Sequence, residues 1–305
     1  MNVLILGGNG YLGSKVAREL VNAGYNVVCT KRQTSNLSRL SDLEDKLTWI
    51  PATVESIEAA SQYTKFDYVL NMACNYGRSD KLYDNVIEAN IEFPLKVLSK
   101  VVENGTRNYL TIGTGLPDDL NMYSFSKKMF NQFGQFYAKK HNINFVCLTL
   151  EMLYGADEPE NRFLPSVIRK MLKGESVDMT AGTQHRDIIS VDDICKAVLM
   201  VMHCELRGYW EIPIGTGIAP TVSELIDYIW RETDSKSKVN KGVIPMRDNE
   251  PDCVADTTTI SSLGEWEPIP WKKGIKNMID SIAEKIGGGY YRIVFSFSNC
   301  SITLV

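Results

Sequence analysis

The sequence predicts an α/β fold, a doubly wound parallel sheet with a smaller mixed α/β lobe. Three observations carry that prediction. Short β-rich runs alternate with helical patterns through the first half of the chain, which calls for parallel strands joined by crossover helices. The first apolar run leads straight into a glycine-rich turn and an amphipathic helix. After about Leu150 the alternation becomes irregular, as a second lobe would make it.

Residues 3–6 are an apolar run suited to a buried strand. Residues 11–22 have helical spacing, with Leu12, Val16, Ala17 and Leu20 on one face, and Gly24 ends the helix. Further strands are predicted at 26–30, 47–51, 67–72, 108–112 and 144–148. Helices fall between them, most clearly at 81–103 and 122–140. In the second half, 163–173 and 192–204 read as helices. The latter opens after Ser190, with Asp192 and Asp193 favourable in its first turn. Thr221 and Glu224 fit a capping box ahead of Leu225, Ile226 and Ile229. Residues 210–214 read as a strand of the smaller lobe, and 261–283 close the recognisable domain. The expected division is a first domain at 1–150, a second lobe at 151–285 with interleaved segments, and an apolar tail at 286–305. Gly287-Gly288-Gly289 reads as a flexible linker, and the β-prone stretch 290–305 as a segment docked on the body or on a second subunit.

The composition excludes several classes. Lys plus Arg number 33 against 37 Asp plus Glu, a net charge of −4, which argues against a nucleic-acid binder but leaves room for a local basic pocket. The seven cysteines are scattered, odd in number and never spaced C-x-x-C, so they read as reduced thiols of a cytoplasmic protein. With His141, His185 and His203 the only histidines, no metal site is expected. No apolar run approaches the roughly 18 to 20 residues of a membrane span. The start lacks a basic region and reads as a strand, not a signal peptide.

Gly7-Gly8-Asn9-Gly10-Tyr11-Leu12-Gly13 lies between the first strand and the first helix. Glycines permit a tight turn and close approach of a pyrophosphate, and the helix N-terminus offers N–H groups and a favourable dipole. This position makes the turn a Rossmann-type dinucleotide site formed by Gly7, Gly10, Tyr11, Leu12 and Gly13. An NAD-selective site usually ends its second strand in an acid that holds the ribose 2′-hydroxyl. Here Thr30 is followed by Lys31 and Arg32, cations suited to a 2′-phosphate, which favours NADP(H) over NAD.

Tyr123 and Lys127 stand four residues apart, on one face of a helix. A phenol has an unperturbed pKa of about 10, and a neighbouring ammonium favours its ionised form. With Thr114 at the end of the fifth strand, these residues make a proton-transfer set.

Together these features resemble the extended short-chain dehydrogenase/reductases of the sugar-nucleotide epimerase/dehydratase group. The resemblance rests on the glycine turn, Asn71-Met72-Ala73, Asn90, Thr114, Tyr123 and Lys127. It extends to the stretch from His185 to Asp193, to 209–221, and to the segment from Asp256 through Gly264 and Pro268. It covers about residues 1–285. It implies that Thr114, Tyr123 and Lys127 carry catalysis, that Lys127 also holds the nicotinamide ribose, that Ala73 lies on the nicotinamide side, and that Asn90 is a structural or cofactor-binding residue. It further implies that Arg186 contacts the diphosphate of a nucleotide-sugar substrate, that Asn161 and the Phe163-Leu164 region line its cleft, and that the chain forms a homodimer through the 81–103 and 122–140 helices.

Departures from the group narrow the reaction. Dehydratases of the group follow the threonine directly with Asp and Glu, whereas Thr114 is followed by Gly115-Leu116-Pro117. Thr114 and Tyr123 are only nine residues apart, where much of the group has a longer segment. The short arrangement looks like the CDP-abequose and CDP-paratose synthases, which reduce a CDP-linked 4-keto-3,6-dideoxyhexose with NADPH. An NAD-retaining 4-epimerase is the alternative, and a non-catalytic NADP(H)-binding regulator a third.

Overall fold

The computed structural model describes residues 1–77, 83–247 and 250–287. The chain begins β1 (Asn2–Leu6), α1 (Tyr11–Asn22), β2 (Asn26–Lys31), β3 (Leu47–Pro51), α2 (Val54–Tyr63) and β4 (Tyr68–Asn71). It continues α3 (Asp84–Ile87), α4 (Phe93–Glu103), β5 (Asn108–Thr114), α5 (Met122–His141), β6 (Asn144–Leu150) and β7 (Met152–Tyr154). There follow α6 (Phe163–Leu172), β8 (Val177–Met179), β9 (Ile188–Ser190), α7 (Val191–His203) and β10 (Tyr209–Ile214). The last described elements are α8 (Val222–Glu232), β11 (Val239–Lys241), α9 (Thr258–Leu263) and α10 (Trp271–Ile286).

Seven parallel strands form one sheet in the order β10-β6-β5-β4-β1-β2-β3. The chain winds outward from β1 to β3, then restarts at β4 on the other side. The crevice outside the carboxyl ends of β1 and β4 is therefore the topological switch point, where such sheets bind ligands. Burial on both faces explains the continuous apolar strands. Along β1, Val3 and Ile5 enter one core with Leu12, Val16 and Leu20 of α1 and Ile194 and Val198 of α7. Leu4 and Leu6 enter the opposite core with Ile57 of α2, Val97 and Val101 of α4, and Phe130 of α5. Each fully buried Leu or Ile contributes about 1.5–3 kcal/mol, so the two cores fix the strand faces.

The described residues fall into two compact units that interleave along the chain. The first comprises 1–153, 185–219 and 251–269, and holds the sheet. The second comprises 154–184, 220–247, 250 and 270–287. Within the second, α6, α8 and α10 pack on one another and β8 pairs in parallel with β11. Thr221 and Glu224 make the expected capping box: Glu224 N donates to Thr221 Oγ1 at 3.1 Å, and Thr221 N to Glu224 Oε2 at 2.8 Å.

Several elements differ from the sequence reading. Residues 210–214, expected in the smaller lobe, lie within β10, which pairs with β6 as the edge of the main sheet. β5 and β6 each run two residues past their expected ends. The helix between the strands at 47–51 and 67–72, for which the sequence reading gives no bounds, spans 54–63; Thr53 caps it by accepting from Ser56 N at 3.2 Å. The expected 81–103 helix is broken by a wider π-type turn at Glu88–Glu92. Its first two residues, and the apolar stretch 290–305 with Gly288 and Gly289, lie outside the described residues.

Candidate active site

The glycine turn is built by contact as much as by backbone freedom. Gly7 takes a positive φ of 77°, and a β-carbon there would stand 2.9 Å from Ala73 Cα. A β-carbon at Gly13 would collide with the Gly7 carbonyl. The turn closes through Gly10 N donating to Gly7 O at 3.0 Å. α1 then opens at Gly10 without a side-chain cap, leaving first-turn N–H groups to an anion or to water. Leu12 is buried in the core, so only its backbone is available to a ligand. Tyr11 is half-buried, its ring 6.0 Å from the Arg39 guanidinium.

Thr30 has a structural task that the sequence did not reveal. Its hydroxyl, buried at the end of β2, accepts from Gly7 N at 3.1 Å and so pins the glycine turn. An acid is absent from that position, and the next side chains are half-buried Lys31 and exposed Arg32.

Thr114 ends β5 as a buried residue whose hydroxyl accepts from Leu116 N at 3.3 Å. Seven residues later Asn121 starts α5 with a reciprocal cap: Ser124 N donates to Asn121 Oδ1 at 2.9 Å and Asn121 N to Ser124 Oγ at 3.3 Å. Tyr123 and Lys127 thus occupy successive turns at the start of α5. The Tyr123 ring lies 4.8 Å from that of Tyr76, on the loop after β4. Lys127 is buried, and burial pushes its ammonium below the usual lysine range, partly opposed by Cys74 and Cys147. It makes no hydrogen bond or ion pair with the other described residues.

Asn90 sits within the π-type turn and is buried. Its amide donates to Asn75 O and to Ser126 Oγ, both at 2.9 Å, and accepts from Asn75 N at 2.7 Å. With both amide protons engaged, Asn90 locks the loop after β4 onto α5 rather than offering a free donor to a cofactor. Ser126 Oγ in turn donates to Tyr123 O at 2.8 Å. Sequence reasoning missed Asn75 and Ser126, because nothing in their spacing reveals the bond.

Arg186 is half-buried and donates to His185 O at 2.8 Å and to Pro251 O. The neighbouring acids are structural. Asp187, fully buried, accepts from Thr216 N at 2.9 Å, Thr216 Oγ1 at 2.7 Å, Gly217 N at 2.8 Å and Ala255 N at 3.3 Å. Asp193 accepts from Ile269 N at 2.8 Å. Asn161 belongs to the second unit, where it is exposed just before α6. Among the described residues the cysteines are free and no cluster suited to a metal ion occurs. No described helix is long and apolar enough to cross a membrane.

A family model described as the NAD dependent epimerase/dehydratase family matches residues 3–208, more than half of the chain. The chain belongs to this family. It is similar to the CDP-abequose synthase of Salmonella typhimurium, 29% identical over 294 residues, covering 91% of this chain and 97% of the relative. The CDP-abequose synthase of Salmonella muenchen is 26% identical over 287 residues, covering 91% and 96%. Its fold matches that of the UDP-glucose 4-epimerase of Thermotoga maritima, solved with UDP-glucose, with a TM-score of 0.84 at 21% identity over 94% of this chain and all of that one. The protein is therefore an enzyme of the nucleotide-sugar epimerase/reductase kind that works with a nicotinamide cofactor. The residues present fit that cofactor. The glycine turn is a cradle that side chains would fill, and Lys127 is a buried cation without a counterpart among the described residues.

Proposed function

We propose that the protein is an NADPH-dependent reductase of a CDP-linked 4-keto-3,6-dideoxyhexose, acting as a homodimer. The observation that carries this reading is the end of β2. Thr30 stands where an NAD-selective site has its acid, its hydroxyl is committed to Gly7, and Lys31 and Arg32 follow. Two cations and no carboxylate favour a 2′-phosphate. In the short connection from Thr114 to Asn121, Gly115-Leu116-Pro117 follow Thr114 directly and the acids Asp118 and Asp119 come only later, which supports reduction over dehydration.

In this reading Gly7, Gly10 and Gly13 admit the pyrophosphate, Lys31 and Arg32 hold the 2′-phosphate, and Ala73 borders the nicotinamide. When bound, NADPH supplies the hydride for the C4 carbonyl. Tyr123 donates a proton to the oxygen that becomes the alcohol, and Thr114 hydrogen-bonds and orients that oxygen. Lys127 binds the nicotinamide ribose and, as a cation, favours the ionised Tyr123 that remains after transfer. Arg186 pairs with the substrate diphosphate, and Asn161 lines the sugar-nucleotide cleft.

The test starts with the purified protein. It is denatured, any released dinucleotide is identified by mass, and the untreated protein is titrated with NADPH and NADH. The expected result is an empty protein that prefers NADPH and oxidises it on addition of a CDP-linked 4-keto-3,6-dideoxyhexose. A protein filled with non-exchanging NAD would overturn the reductase in favour of a 4-epimerase.

A further inference from the structure

Glu151 is a carboxylate that none of the assigned roles uses. It follows β6 directly, at the carboxyl end of the sheet, and β6 pairs with β5 so that Leu150 is level with Thr114. Gly115 N donates to Leu150 O at 2.9 Å, which holds the chain after Thr114 against the chain before Glu151. A β-carbon at Gly115 would collide with the Glu151 carboxylate. The absence of a side chain beside Thr114 is thus what gives this carboxylate its place.

Among the described residues, the charged groups that act on Glu151 have partners of their own. Lys128 of α5 pairs with Glu211 at 3.6 Å. Arg186, on the segment before β9, donates to the carbonyls of His185 and Pro251. Asp187 is saturated by Thr216, Gly217 and Ala255. The Glu151 carboxylate makes no hydrogen bond or ion pair with the other described residues. Burial, with Asp187 adding to it and Arg186 and Lys128 opposing it, pushes its pKa up to about 7. A largely desolvated carboxylate without donors is costly unless a ligand supplies them.

We infer that Glu151 determines substrate specificity by accepting a hydrogen bond from a ring hydroxyl of the sugar held beside Thr114. This deepens the proposed nucleotide-sugar reading and rests on it. A hydroxyl donor favours the ionised carboxylate, so sugar binding strengthens as pH rises through the neutral range.

The experiment is calorimetric titration of the NADP⁺-loaded protein with CDP-glucose and with CDP, for the wild type, Glu151→Ala and Glu151→Gln, at pH 6, 7 and 8. The wild type should bind CDP-glucose more tightly than CDP, and increasingly so toward pH 8. Glu151→Ala should lose about tenfold or more of its CDP-glucose affinity, the size of a hydrogen bond to a charged group, with CDP affinity preserved. Glu151→Gln should lose the pH dependence. A wild type that does not distinguish CDP-glucose from CDP overturns the inference. So does an equal loss for both ligands, which would mark a merely structural residue. NADPH oxidation on the 4-keto sugar is measured separately. A wild type that fails to oxidise NADPH but loses sugar affinity on Glu151→Ala would sink the reductase and sustain the role of Glu151.

Discussion

At the residue scale, Tyr123 and Lys127 divide chemistry from cost. Tyr123→Phe keeps the ring and removes only the hydroxyl that donates the proton. Turnover should fall by about 10²- to 10⁴-fold while NADPH affinity, followed by fluorescence titration, stays near the wild-type value. Wild-type-like turnover would sink the assignment. Lys127 is a buried cation whose pKa burial has lowered, so the folded protein disfavours its charged form. For such a group the sign of linkage is that the cost is fully present below the lowered folded-state pKa and is relieved as pH rises from there to the ordinary lysine value, so stability increases with pH across that window. Lys127→Met keeps the stem and removes the charge. Its denaturation midpoint should equal or exceed that of the wild type without ligand, whereas NADPH affinity and turnover both drop. A strong loss of stability would show that the ammonium has a favourable partner. Lys31→Ala with Arg32→Ala should weaken NADPH much more than NADH in parallel titrations. Equal losses would contradict the 2′-phosphate reading and return both cations to the solvated surface.

At the element scale, the start of α5 sets the geometry of the site. The Asn121 cap fixes where the helix begins, hence where Tyr123 and Lys127 point. Asn121→Ala should cost about 1 kcal/mol in urea denaturation, and turnover should fall although Asn121 is assigned no chemistry. Unchanged stability would mean that Ser124 holds the turn alone. What was legible in the sequence follows from how each element is stabilised. β1, α1 and α5 announce themselves because an apolar run, a one-sided face and a Tyr-x-x-x-Lys spacing are local signals. The bounds of α2 escaped because Ile57 is its one buried side chain, so it carries little periodicity. The π-type turn at Glu88–Glu92 escaped because a shift in backbone bonding leaves no compositional trace. Asn90 was found, but its partners Asn75 and Ser126 come from a loop and another helix. Glu151 left a readable sign, an acid directly after the buried strand that ends Leu148-Thr149-Leu150, but its meaning depends on Gly115 across the β5–β6 pair.

At the scale of the whole molecule, the first unit is assembled from distant stretches. Asp187 gathers residues 216–217 and 255 into one bonded cluster, and Asp193 fixes Ile269. The stretch from His185 to Asp193 thus contains scaffold acids beside the proposed ligand arginine. The sequence marks the stretch but not this division, since partners up to 76 residues away leave no spacing rule. The same scale bears on self-association. α5 is 20 residues long, about 30 Å at 1.5 Å per residue. Phe125, Phe133 and Phe136 are 47%, 37% and 55% exposed along it, an apolar surface that a soluble monomer rarely leaves uncovered. A second copy laid across this helix and α4 would cover it, and a stable interface needs roughly 1,000 Å² or more of buried area. Sedimentation equilibrium should give twice the chain mass of 34.3 kDa. Phe125→Asp with Phe136→Asp should give the single mass, with the sheet intact by circular dichroism, because both rings point away from the core. A wild type that sediments at the single mass would leave those phenylalanines as exposed aromatics and place Tyr123 and Lys127 on an unassisted helix.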